Sequence, residues 1–134
     1  MTDKRYDVII IGAGPAGIFA ALELSKHSNL GVIILDKGAD IDKRHCPIYE
    51  TENSCVHCAT CDRVSGWGGA GAYSDGKLTI SSEVGGHLQD IRGQSATQEL
   101  VHYVDRTYVD FGAPDRLYGE DGDEVQALGR RAAV

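Results

Sequence analysis

The sequence predicts an α/β protein: a parallel βαβ unit at the N-terminus, then a long loop rich in cysteine and glycine, then two helices. Three observations carry this. Two branched apolar runs, Val8–Ile11 and Gly31–Asp36, flank a helical pattern, and a glycine triplet stands at the first strand-to-helix turn. Helical periodicity returns only after residue 95.

Val8 to Ile11 show no polar alternation, which predicts a strand buried on both faces of a parallel sheet. Gly12, Gly14 and Gly17 follow as G-x-G-x-x-G. At such a turn Gly12 permits the tight bend, Gly14 lets the backbone approach a pyrophosphate with no Cβ in the way, and Gly17 lets helix and strand close up. Ala13, Pro15 and Ala16 complete the turn, with Pro15 in the first helical turn, where its missing N–H costs nothing. Amides at the positive end of the helix dipole then face the phosphates. Ile18, Ala21, Leu22 and Ser25 continue the helix, Lys26 and His27 suit its negative end, and Asn29 is a stop.

Asp36 ends the second strand 24 positions after Gly12, where a Rossmann-like fold places the carboxylate that accepts from ribose hydroxyls. Lys37 adjoins it. The acid suits NAD and disfavours a 2′-phosphate, an exclusion that Lys37 weakens. Lys4 and Arg5 ahead of an uncharged run to Leu22 also fit an export signal, but Asp7, the Gly-Pro interruption and Asp36 favour a folded, retained segment.

Twenty acids against thirteen bases give a net charge of −7, with no basic patch, which argues against nucleic acid and anionic lipid as partners. Once the first unit is assigned, no run is long and apolar enough to span a membrane. Four cysteines without an export signal predict a reducing compartment, by default the cytoplasm.

Lys37 to Arg63 has no helical or strand period. A loop this long inside a compact domain usually binds something. Cys55, Cys58 and Cys61 form C-x-x-C-x-x-C, with Cys46-Pro47 upstream. Four thiolates at this spacing suit zinc or an iron–sulfur cluster, although the ferredoxin run has its Cys-Pro after the triplet. A dithiol pair and plain thiols are the other readings, and no metal ligand is assigned. Next comes Ser65–Lys77, with glycine at 66, 68, 69, 71 and 76 among Trp67, Ala70, Ala72 and Tyr73. That mixture suits a backbone passing close to a ligand better than a flexible linker.

Lys77–Ile80 reads as a short strand, Gly85-Gly86 as a turn, and Ser95 with Gln98 as a capping box. Leu100, Val104, Tyr108 and Phe111 then form a helical stripe expected in the core, ended by Gly112-Ala113-Pro114. A last helix begins around Asp121 to Glu124, with Val125, Leu128 and Ala132 on one face and Gly129 inside. Nothing repeats and no linker separates domains, so residues 1–134 read as one N-terminal part of a dinucleotide-binding domain. Two strands are too few for such a domain, so the sequence predicts completion by the rest of a longer chain or by a partner.

Tyr6–Gly17 with Val32–Gly38 resembles the FAD-binding start of two-dinucleotide-fold flavoproteins, with Asp36 where Glu is usual. Arg44-His45-Cys46-Pro47, the Cys55–Cys61 triplet, Gly66–Leu78, Asp110–Pro114 and Tyr118-Gly119 resemble a narrower group, the FAD-dependent dehydrogenases also called NAD(FAD)-utilising dehydrogenases. The resemblance covers nearly the whole chain. It implies an incomplete FAD/NAD(P)-binding domain of a flavin-dependent oxidoreductase, with FAD held by Gly12, Ala13, Gly14, Pro15, Ala16, Gly17, Asp36 and Lys37, and with Gly68, Gly69, Ala70, Gly71 and Gly76 near the flavin. Hydride transfer would be the flavin's, NAD(P)H is the candidate electron donor, and a small molecule is the substrate, of a kind the group does not specify. His45, His57 and Lys77 are candidate proton carriers, and no residue is assigned a catalytic role. The rival readings are an NAD-binding dehydrogenase fragment and a cysteine-based metal module or inert fragment.

Overall fold

The structure is a computed structural model that describes residues 4–51, 54–119 and 122–132. The chain divides into two compact units, Met1–Lys77 and Leu78–Val134.

The first unit contains the expected βαβ. Strand β1 (Val8–Ile11) runs parallel to β2 (Val32–Leu35), with Val8 opposite Val32 and Ile11 opposite Leu35. Helix α1 (Pro15–His27) crosses between them, and Pro15 occupies its first position. The helix stops one residue before the extended Ser28, whose hydroxyl donates to Leu24 O at 2.7 Å. Asn29 therefore follows the stop rather than making it.

Burial in the sheet corrects the expectation of two covered faces. Val8 and Ile10 are half-buried, whereas Ile9 is 59% and Ile11 79% exposed. Leu35, opposite Ile11, is 46% exposed. Side chains alternate across a strand, so helix α1 covers the face that carries Ile10 and leaves the other open. The residues are uniformly apolar, but one helix can cover only one side.

The stretch 37–63 holds short helical turns, Ile41–Lys43 and α2 (Ile48–Thr51), and the glycine-rich stretch coils into a tight turn over Gly69–Tyr73. Asp40 caps the first of these by accepting from Ile41 N at 2.8 Å.

In the second unit α3 (Leu88–Arg92) and α4 (Gln94–Asp110) meet at Gly93, whose φ of +82° a side chain would resist. Gly93, not Ser95, caps α4, because the bend occurs two residues earlier than the capping-box reading placed it. Gln98 turns its amide oxygen to Ser82 N at 3.1 Å instead. Residues 77–80 form no strand, and the only ladder among the described residues joins β1 to β2. The stripe expected in the core is largely open: Leu100 is 39%, Tyr108 43% and Phe111 77% exposed. The stop is as expected. Gly112, at φ +100°, donates to Val109 O and Ala113 donates to Tyr108 O, the paired bonds of a Schellman ending. Helix α5 (Gly122–Ala132) leaves Val125 and Leu128 exposed, and Asp121 lies outside the described residues. Among the described residues no helix is long and apolar enough to cross a membrane.

Candidate functional site

The first unit gathers its candidate residues at the C-terminal ends of β1 and β2. Gly12, at φ +106°, turns the chain out of β1 and donates to Leu35 O at 2.7 Å. A Cβ on Gly17 would lie 2.0 Å from Gly12 O, so only glycine lets α1 start this close to the strand. Gly14 differs. It caps α1 with φ −78°, and a Cβ there would find its nearest neighbour, Gly69 Cα, at 4.0 Å. A Cβ on Gly14 would thus meet the second glycine stretch only at ordinary contact distance, and beside it lie first-turn amides of Ala16 and Gly17 that the helix ladder cannot use. That combination suits an anionic group.

Asp36 ties this turn to two other segments. Oδ2 accepts from Ala13 N at 2.8 Å, and Oδ1 accepts from Gly38 N at 2.8 Å and Gly66 N at 2.7 Å. The N–H groups of Ala13 and Gly38, then that of Gly66 and the charge of Arg44, hold the carboxyl below its ordinary range against a smaller opposing effect of desolvation. A carboxylate offers about four lone-pair sites. The three backbone donors leave capacity on Oδ2 for one more, which is what a ribose hydroxyl would need.

The second glycine stretch is seated on the first. Gly68 N donates to Ala13 O at 2.8 Å, and Ala13 is only 2% exposed. A Cβ on Gly69 would lie 3.0 Å from Gly14 Cα, and one on Gly71 would lie 3.5 Å from Pro15 Cγ. Behind them Gly38 and Gly66 bring backbone onto backbone: a Cβ on Gly38 would lie 2.3 Å from Gly66 N, and one on Gly66 would lie 2.3 Å from Ala39 O. The structure therefore brings together Gly12, Ala13, Gly14, Pro15, Gly17, Asp36, Gly68, Gly69 and Gly71. Ala16, Lys37 and Ala70 are exposed, and Gly76 sits in a separate turn, its N–H donating to Ser74 Oγ at 2.9 Å.

Arg44 is the residue that pattern reading missed. It is 8% exposed. Nε donates to Asp62 O at 2.7 Å and Nη1 to Trp67 O at 2.8 Å, while the guanidinium lies 4.8 Å from the centre of the Tyr73 ring. Tyr73 returns a hydrogen bond from its hydroxyl to Arg44 O at 3.1 Å. Arg44 thus clamps the cysteine loop to the glycine loop, with Nη2 buried and unsatisfied. In one dimension it looks like a solvated base among Asp40, Asp42 and Lys43, and only its place in the Arg-His-Cys-Pro resemblance marked it.

All four cysteines, with His45 and Asp62, line one cavity of about 30 Å³. Cys46 is buried, Cys61 half-buried, Cys55 and Cys58 exposed, and all four are free thiols. Among the described residues, no three His, Cys, Asp or Glu side chains already converge closely enough to hold a metal ion. Of the candidate proton carriers, Lys77 pairs with Asp75 at 2.8 Å, which holds its ammonium above the usual range, and His57 adopts a left-handed φ of +52°.

This arrangement of strand, glycine turn, helix and acid matches a known profile. Residues 6–120 fit that of the pyridine nucleotide-disulphide oxidoreductases. The chain belongs to this family. Among similar family-like sequences, an uncharacterized protein of Clostridium beijerinckii is 41% identical over 93 residues, 69% of this chain and 16% of that protein. A soluble pyridine nucleotide transhydrogenase of Hahella chejuensis is 51% identical over 60 residues, 45% of this chain and 11% of that protein. A mitochondrial electron transfer flavoprotein-ubiquinone oxidoreductase of Arabidopsis thaliana is 46% identical over 42 residues, 28% of this chain and 7% of that protein. The chain thus spans a small part of the length of these relatives. No solved structure gives a significant match.

Proposed function

We propose that the chain is the FAD-binding portion of a flavin-dependent oxidoreductase, a dehydrogenase of the NAD(FAD)-utilising kind. The observation that carries this is the pairing, at one turn, of the helix N-terminus capped by Gly14 with the remaining acceptor capacity of Asp36. The residues present fit the cofactor: the Gly12–Gly17 backbone would take the pyrophosphate, Asp36 the adenosine ribose, and the Gly68–Gly71 segment would border the path toward the flavin. Bound FAD would supply hydride transfer. The chain's own part is to orient the dinucleotide, through the helix dipole and the Asp36 carboxylate, and to hold the two glycine stretches together through Asp36 and the Gly68 N–Ala13 O hydrogen bond.

The family match supports a redox role, and names such as transhydrogenase and electron transfer flavoprotein-ubiquinone oxidoreductase among the relatives support flavin over a purely structural use of the fold. NAD(P)H is the proposed electron donor and a small molecule the substrate, in the cytoplasm. The open face bearing Ile9, Ile11 and Leu35 supports the reading that further chain covers the sheet.

The test is the absorption spectrum of the full chain, purified anaerobically and desalted. A two-band flavin spectrum that disappears in Asp36→Ala is the expected result. A folded, colourless chain that also refuses added FAD overturns the proposal, and uptake of NAD in its place favours the nicotinamide reading.

A further inference from the structure

We propose that Cys46, Cys55, Cys58 and Cys61 form a structural site for a single zinc ion, independent of the flavin reading. The fold brings to one cavity four thiols that lie up to fifteen positions apart in sequence, and no step of the proposed flavin chemistry uses them.

Two hydrogen bonds close the neck of the loop that carries them. Arg44 Nε donates to Asp62 O at 2.7 Å, and His45 N donates to Asp62 Oδ2 at 3.1 Å. They fix the backbone beside Cys46 and Cys61, the two less exposed thiols. Between these anchors, residues 54–58 have neither helix nor strand, so Cys55 and Cys58 sit on backbone that no ladder holds. His57, between them, takes a left-handed conformation with φ +52°. Convergence of the two exposed thiols on the anchored pair therefore needs movement of one short stretch and breaks no regular structure.

Ligand type selects the ion. Four thiolates in tetrahedral array are a closed structural zinc site, with Zn–S distances of about 2.3 Å. The chemistry is substitution without redox change: each thiol loses a proton to solvent as its sulfur binds Zn²⁺. Such an ion would crosslink a segment that otherwise relies on Arg44 and a few turns.

The full chain, purified with zinc present and desalted, should carry about one zinc per chain by atomic emission. Cobalt in its place should give the intense ligand-field and sulfur-to-metal charge-transfer bands of a tetrahedral thiolate site. Cys58→Ser, at an exposed position, should lower zinc affinity at least tenfold while leaving flavin uptake unchanged. In the unaltered chain, zinc should protect the thiols from alkylation and chelation should restore their reactivity. Iron with acid-labile sulfide, a zinc content unaffected by Cys58→Ser, or four thiols equally reactive with and without zinc would each overturn the proposal. Zinc bound to a chain that takes up no flavin would sustain it and tell against the cofactor reading alone.

Discussion

The two glycine-rich stretches of the first unit look alike in sequence and do different work. At Gly14 a side chain would meet only an ordinary contact, with Gly69 Cα 4.0 Å from its Cβ. At Gly38, Gly66 and Gly69 the missing side chain is what lets two backbones touch, since a Cβ would come within 2.3 to 3.0 Å of main-chain atoms. Gly17 is of the second kind although it belongs to the first stretch. Glycine count therefore says little about ligand contact, and the direction in which the absent Cβ would point says a good deal.

Substitution can break this distinction. The largest effect is expected for Gly17→Ala, whose methyl would lie 2.0 Å from Gly12 O with a backbone atom in the way. A loss of about 4 kcal/mol or more in thermal or denaturant unfolding is expected. Gly66→Ala combines a φ of +105° with a carbonyl at 2.3 Å and should cost about 3 kcal/mol in the same assay. If either variant unfolds like the parent chain, the close approaches described here do not exist.

Asp36 joins the two stretches, and its titration sharpens the comparison. Because its folded-state pKa is depressed, the folded chain binds the proton less tightly than the unfolded chain does. Its contribution to stability is complete above the unfolded value, about pH 4, and is lost as pH falls through the lower folded value. Denaturant midpoints followed from about pH 6 down to about pH 2 should show this acid-side loss, and Asp36→Asn should flatten it. An unchanged slope in the variant would mean that other carboxylates govern the acid transition.

Smaller effects should follow where space is open. Gly76→Ala meets no atom within 4 Å and bears only the strain of φ +76°, so about 1 kcal/mol is expected from unfolding curves. Gly14→Ala replaces a good helix cap by a poorer one and meets only Gly69 Cα at 4.0 Å, so a similar loss of about 1 kcal/mol is expected. Its flavin affinity should nevertheless fall roughly tenfold or more, read by titration with FAD. Equal losses of stability and of flavin in Gly14→Ala would erase the difference between the two stretches.

Much of the βαβ unit, and the end of α4, was legible in one dimension because the determinants are local. The G-x-G-x-x-G spacing, Pro15 at the first helical position and Gly112 at the end of α4 act through the sterics and hydrogen bonds of a few adjacent residues. The capping box at Ser95 failed for a local reason too: Gly93 bends the chain first. The strand expected at 77–80 needed a partner that the described residues do not supply.

Sequence by itself determined the α/β class, the position of the glycine turn, the acid at the end of β2 and the cysteine spacing. Only tertiary structure decided which sheet face is covered, that Arg44 is buried, that Asp36 serves two loops at once, and that four thiols share a cavity. The physical reason is separation along the chain. Arg44 meets a carbonyl 18 residues away and Asp36 an amide 30 residues away, and no local pattern encodes a contact whose partner is chosen by folding.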